Sequence, residues 1–279
     1  MTAKGLALTI GLNSLDQKHY GGWSGDLNAC ENDAYDMADI AETQGFKTTT
    51  LLTKNATRTR VIEEIRNAAQ TLKTGDIFML SYSGHGGQLP DRNEDEIDAI
   101  DETWCLYDSQ LVDDELFELF AEFEQGVRIL VFSDSCHSGT VTKAAYYKAE
   151  MDVRTTNNDV NGTKYRFMPL DMVMHTYHLN KEFYNKILKR EGLKDIENKT
   201  KASILLISGS QDNQYSADGI FNGLFTSQLL TVWKEGNFKD SYKEFHKQIV
   251  SRMPPNQTPN YYFIGPKVAI FEIQKPFTI

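Results

Sequence analysis

The spacing of apolar residues changes several times along this 279-residue chain, and each change marks an element. Lys4 to Ile10 is a short apolar run that stops at the turn-rich Gly11-Leu12-Asn13-Ser14, which predicts a strand. From Asp26 to Gly45, Leu27, Cys30, Ala34, Met37, Ala38 and Ala41 recur at helical steps, and Gly45 can end the helix they predict. Phe46 to Thr53 reads as a second strand, and Thr57 to Lys73 as a second helix with Val61, Ile65, Ala68, Ala69 and Leu72 inward. After the turn at Gly75-Asp76, Ile77 to Tyr82 is a third strand. Strands alternating with helices require crossover connections, so the sheet should be mostly parallel.

Pro90 to Asp114 is dense in acids and reads as a loop, with a helix from about Glu115 to Gln125 behind it. Val127 to Phe132 is a continuous apolar run, the pattern of a strand buried on both faces. Thr140 to Lys201 is polar and weakly periodic; it reads as an insertion, partly helical near Met172 to Lys189. The alternation resumes with a strand at Ala202 to Ser208, helices at Phe221 to Trp233 and Tyr242 to Met253, and a last strand at Lys267 to Ile273. The fold class is α/β, with helices on both faces of the sheet.

Composition narrows this picture modestly. Hydrophobic residues make up 40% and charged residues 24%, ordinary for a globular chain. The net charge of -10 argues against nucleic acid as a partner and suits a site that attracts cations. Cys30, Cys105 and Cys136 are the only cysteines, a sparse odd set that suits a reducing, cytoplasmic setting better than a disulfide framework. No apolar stretch approaches the roughly 20 residues of a membrane helix. The N-terminal run, broken at Gly11 and Asn13, reads as a strand rather than a leader.

Chemistry concentrates at two strand ends. The third strand runs into Ser81-Tyr82-Ser83-Gly84-His85-Gly86-Gly87, and the buried strand into Ser133-Asp134-Ser135-Cys136-His137-Ser138-Gly139. Ligands of parallel sheets bind beyond the carboxyl ends of the strands. If these two strands are neighbours, His85 and Cys136 converge there although 51 positions separate them (136 minus 85). A thiol nucleophile needs an imidazole to take its proton and later to protonate a leaving amine. The main-chain N–H groups of Gly86 and Cys136 are natural donors to an oxyanion. His137 is the alternative base, a weaker one because adjacent side chains diverge.

Tyr-Ser-Gly-His-Gly at 82–86 and Asp-Ser-Cys-His-Ser-Gly at 134–139 resemble the two signature motifs of metacaspases, members of the caspase-like peptidase clan. The similarity extends to Cys30-Glu31-Asn32-Asp33 and Ser208-Gly209-Ser210-Gln211-Asp212-Asn213-Gln214, and so spans roughly 4 to 140 and 200 to 273. It implies a caspase-like sandwich in one domain: a large-subunit-like part at 1–140, a linker at 141–200 and a small-subunit-like part at 201–279. It also implies a monomeric thiol protease acting on proteins. In metacaspases the positions matching Asp33 and Asp134 are acidic groups in the pocket for the residue before the cleaved bond, with Cys30 and Ser83 nearby. Carboxylates there select arginine or lysine. Asp212 can be read as pocket or as turn.

Metacaspases resembling this chain bind calcium through acids of the loop matching Asp91 to Asp114, and Asp101, Asp113 and Asp114 are the closest matches. A further acidic ligand expected after the nucleophile motif is missing, since Thr140-Val141-Thr142-Lys143 stands there. A merely solvated acidic loop fits the residues as well. Lys143, Lys148, Arg154, Lys164 and Arg166 in the insertion are possible self-cleavage points for an enzyme with basic preference. Two other classes stay open: a catalytically silent caspase-like interaction module, and a cysteine hydrolase acting on another bond.

Overall fold

A computed structural model describes residues 2–90, 100–135, 164–189, 199–210, 216–266 and 269–279. The first strand, β1 (Gly5–Gly11), leads to α1 (Cys30–Thr43), β2 (Lys47–Leu52), α2 (Arg58–Thr71) and β3 (Ile77–Ser83). Then come β4 (Gly86–Pro90), β5 (Ile100–Cys105), β6 (Gln110–Val112), α3 (Asp113–Ala121) and β7 (Arg128–Asp134). The remaining elements are α4 (Leu170–Leu179), α5 (Lys181–Leu188), β8 (Ser203–Ser208), α6 (Leu224–Trp233), α7 (Tyr242–Val250), β9 (Asn260–Ile264) and α8 (Ala269–Ile273).

Six strands form the main sheet in the order β2-β1-β3-β7-β8-β9; the first five are parallel and β9 pairs antiparallel with β8. Both faces are buried, which is why the strands read as apolar runs rather than as alternation. Phe78, Leu80, Ile129 and Val131 point into one core with Val61 and Ile65 of α2 and Leu119 and Phe120 of α3. Ile77, Met79, Leu130 and Phe132 point into the other, with Met37 and Ile40 of α1, Phe225 and Leu229 of α6, and Phe245 and Ile249 of α7. This is the α/β layering that the pattern predicts, helices on both faces included.

Two expectations are corrected. The acid-dense stretch after β3 is not one loop: β4, β5 and β6 form a separate three-stranded antiparallel sheet. Leu89, Trp104, Leu111 and Val112 are buried there, and the run of charged residues between Leu89 and Trp104 hides the pattern. The last strand is not Lys267 to Ile273. Tyr261-Tyr262-Phe263-Ile264, just upstream and closed by Gly265, takes the edge beside β8, and Ala269–Ile273 is a short helix. Its Phe271 packs edge-on to Tyr242 of α7 at 5.7 Å, so an apolar run that could be either element is decided by its packing partner. Among the described residues no helix is long and apolar enough to cross a membrane.

Candidate active site

The adjacency on which the site depends is present: β3 and β7 are neighbours, with Ser83 opposite Asp134. Their carboxyl ends therefore open at one place. Directly after β3, His85 is buried, its Nε2 3.0 Å from the Gly25 carbonyl oxygen and its ring 4.7 Å from that of Trp23. Its own carbonyl accepts from the Cys105 N–H at 2.9 Å and from the Tyr82 hydroxyl at 2.8 Å. The backbone of this loop is thus tied down, and the imidazole is held through one nitrogen. The other nitrogen, Nδ1, is buried and has no hydrogen-bond partner among the described residues. Burial pushes the His85 pKa down to about 4, against the opposing pull of the Gly25 carbonyl, so the ring is neutral near pH 7.

β7 delivers Ser133, Asp134 and Ser135, all buried, to the same edge. Cys136 and His137 follow and lie outside the described residues, as does Asp212.

Next to His85 runs the segment from Lys164 to Met168. Tyr165 bridges antiparallel to Ala217 and Phe167 bridges parallel to Gly86. The Arg166 N–H donates to the Ser216 carbonyl at 3.0 Å, and the Asp218 N–H donates to the Lys164 carbonyl at 2.8 Å. The Gly86 N–H donates to the Arg166 carbonyl at 3.0 Å, and the Met168 N–H donates back to the Gly86 carbonyl at 2.8 Å. The segment therefore lies extended between two walls, in the way a peptide joins a strand edge.

Its Arg166 side chain is fully buried in an acidic hollow. Nη1 donates to the Ser83 hydroxyl at 2.8 Å and pairs with the Asp134 carboxylate at 2.9 Å. Nη2 pairs with Asp33 at 2.7 Å and with Asp218 at 2.9 Å. The three carboxylates are themselves tethered. Asp33 accepts from the Ser83 hydroxyl at 2.7 Å and the Gly223 N–H at 3.0 Å. Asp134 accepts from Ser216 at 2.6 Å and Thr226 at 2.8 Å. Asp218 accepts from the Asn28 N–H at 2.8 Å. A Cβ on Gly223 would stand 2.5 Å from both terminal nitrogens of Arg166, so the bare backbone there makes the room the guanidinium fills.

Three buried carboxylates around one guanidinium leave a negative excess. Burial opposes the charge on Arg166, but Asp134, Cys30, Asp33 and Asp218 outweigh it and hold its pKa well above the ordinary range. Burial pushes Asp33 up to about 6 despite Arg166, with Asp134 adding to the rise. Cys30, at the start of α1, borders the hollow; burial lifts its thiol to about 12, so it stays protonated.

Of the residues singled out from the sequence, Asp33, Asp134, Ser83 and Cys30 come together here, with His85 and Gly86 beside them. Asp218 was missed. It follows closely on the 208–214 stretch, and its cue would have been a lone acid after Ser216-Ala217 in a loop returning to the sheet's carboxyl edge. Asp101, Asp113 and Asp114 lie apart, on β5 and at the start of α3. Burial, then Glu102, Asp114 and Asp101, hold the Asp113 carboxyl well above the usual range. Among the described residues no three side chains stand together in a metal-holding arrangement.

Comparison with known proteins agrees with this architecture. The chain is 28% identical to metacaspase-1 of Saccharomyces cerevisiae over 90% of its own length and 65% of the yeast protein. It is 27% identical to metacaspase-1 of Schizosaccharomyces pombe, over 82% of its own length and 59% of that protein. It thus spans less than two thirds of these relatives. A crystal structure of a Geobacter sulfurreducens protein matches at TM-score 0.89 and 58% identity, covering 99% of this chain and 98% of that one. Caspase-1 of Spodoptera frugiperda, 10% identical, shares the fold at TM-score 0.56 over 94% of this chain and 86% of its own. The caspase-domain family model matches residues 4–268, and the chain belongs to that family.

Proposed function

We propose that the chain is a cysteine endopeptidase that cleaves after arginine or lysine, with Cys136 as nucleophile and His85 as its proton partner, and that it cuts its own linker. The observation carrying this reading is Arg166. A basic side chain fills the acidic hollow while its carbonyl accepts from Gly86, one of the two N–H groups named as oxyanion donors. In this reading Arg166 stands for the residue before the cleaved bond, and the bond at risk is Arg166–Phe167.

The steps follow from the groups. His85, neutral near pH 7, takes the proton of Cys136 as sulfur bonds to the carbonyl carbon, and the oxygen takes the charge under the N–H groups of Gly86 and Cys136. The carbon–nitrogen bond then breaks and His85 gives the proton to the departing amine. Phe167 carries the nitrogen of that departing amine. Water, deprotonated by His85, cleaves the thioester and frees both cysteine and carboxylate. The sparse cysteines favour a cytoplasmic setting, and by family resemblance the enzyme acts on proteins as a monomer.

Calcium is part of the proposal. Hard carboxylate donors and the mutual repulsion around Asp113 fit a divalent cation, which Asp101, Asp113 and Asp114 would help hold once drawn together. Bound there, it would relieve that repulsion and order the antiparallel sheet behind His85.

The test is a panel of fluorogenic peptides with Arg, Lys, Asp or Asn before the scissile bond, with and without calcium, on wild type and Cys136→Ala. Turnover of the Arg and Lys peptides alone, lost in the variant, is the expected result. Turnover after Asp, or turnover surviving in the variant, contradicts the reading, and rates indifferent to chelation remove the metal. A chain inert on all peptides would favour the silent interaction module.

A further inference from the structure

The acidic hollow is built for a fork rather than for a point charge. Nη1 of Arg166 serves Ser83 and Asp134, and both hydrogens of Nη2 are used, one toward Asp33 and one toward Asp218. Gly223 adds a second, independent feature. A Cβ there would be 2.5 Å from Nη1, 2.5 Å from Nη2 and 2.6 Å from Cζ. Near-equal distances to three coplanar atoms mean that the guanidinium lies face-on against the backbone, in a slot shaped for a flat group.

We propose that Asp218 makes this pocket select arginine over lysine; the inference rests on reading the hollow as the pocket for the residue before the cleaved bond. A lysine ammonium would end near the place of Cζ, short of the terminal nitrogens by about 1.3 Å, the length of a conjugated C–N bond. Asp218 is not free to follow it. Its carboxylate accepts from the Asn28 N–H at 2.8 Å and the Ala29 N–H at 3.4 Å at the start of α1, and its own N–H holds the Lys164 carbonyl at 2.8 Å. All three carboxylates are fixed at guanidinium distance, but they differ in what remains when lysine binds. Asp33 keeps the Ser83 hydroxyl, the Asn222 amide and the Gly223 N–H, and Asp134 keeps the Ser216 and Thr226 hydroxyls and the Thr226 N–H. Among the described residues Asp218 keeps only the Asn28 N–H and the longer one from Ala29. Loss of the guanidinium therefore costs Asp218 most, as the buried carboxylate with the fewest other donors. Asp33 and Asp134 remain to attract any cation, so they confer basic preference while Asp218 confers the choice within it.

The experiment measures kcat/KM on two peptides differing only in Arg or Lys before the scissile bond, for wild type, Asp218→Asn and Asp33→Asn. The amide introduced by Asp218→Asn keeps an acceptor for the start of α1 while removing the charge. The wild type should favour arginine by about tenfold or more. Asp218→Asn should bring the ratio toward one, mainly by losing arginine turnover, whereas Asp33→Asn should lower both peptides. Should Asp218→Asn fail to fold, Arg166→Lys in the otherwise intact chain asks the same question, and self-cleavage at 166–167 should slow about tenfold. A wild type that cuts both peptides equally, a ratio unchanged in Asp218→Asn, or Arg166→Lys cut as fast as wild type overturns the inference alone. Absence of any cleavage by wild type overturns the peptidase reading and this inference with it.

Discussion

His85 and Gly223 are the two residues on which the chemistry turns most sharply. With a folded-state pKa of about 4 against an ordinary 6.5, His85 binds its proton more weakly folded than unfolded. Its neutral burial therefore supports the fold above pH 6.5, and that support is lost as pH falls through 4, by up to about 3 kcal/mol. Urea midpoints of wild type and His85→Gln should accordingly diverge between pH 7 and pH 4, with only the wild type suffering this loss; parallel curves would contradict it. Gly223→Ala places a methyl group where the guanidinium lies, at a backbone φ of -60° that any residue adopts. Turnover of an arginine peptide should fall by about a hundredfold, because a misplacement of an ångström suffices for that. The melting temperature of the uncut chain should fall with it, since the same methyl group displaces Arg166 from its buried ion pairs.

At the scale of elements, α1 is what brings Asp33 to the pocket, and its first turn is capped from a distance. The Asn13 side-chain oxygen, in the loop after β1, accepts from the N–H groups of Cys30 at 3.0 Å and Glu31 at 3.3 Å. Asn13→Ala should cost about 1 kcal/mol in urea unfolding and raise KM for arginine peptides more than it lowers kcat. An unchanged KM would show that α1 is placed by packing alone. The same scale explains what could be read in advance. The β1-to-β3 alternation and the β7 run are legible because burial on both faces leaves an unbroken apolar signature, and with them came the adjacency of β3 and β7; the grouping of Asp33 with Asp134 came from the motif resemblance instead. The antiparallel sheet of β4 to β6 is illegible because a run of charged residues separates Leu89 from Trp104 in the sequence, and the β9–α8 ending because a short apolar run suits either element. Asp218 carried no periodic or motif signal; only the chain path brings it beside Arg166.

For the whole molecule, the linker acts as a built-in peptide. Removing Arg166 would leave Asp33, Asp134 and Asp218 without their counter-charge, and breaking such a buried pair costs about 3–5 kcal/mol where water cannot enter. On the proposed reading this segment is part of the uncut fold as well as a candidate substrate, and cutting it would exchange that stability for an open pocket. The most direct measurement is N-terminal sequencing and intact mass of the purified chain after incubation with calcium, beside Cys136→Ala. A new terminus at Phe167, absent from the variant, is the predicted result. A chain that hydrolyses arginine peptides while its 166–167 bond stays whole, or that is cut there equally in Cys136→Ala, would contradict the account.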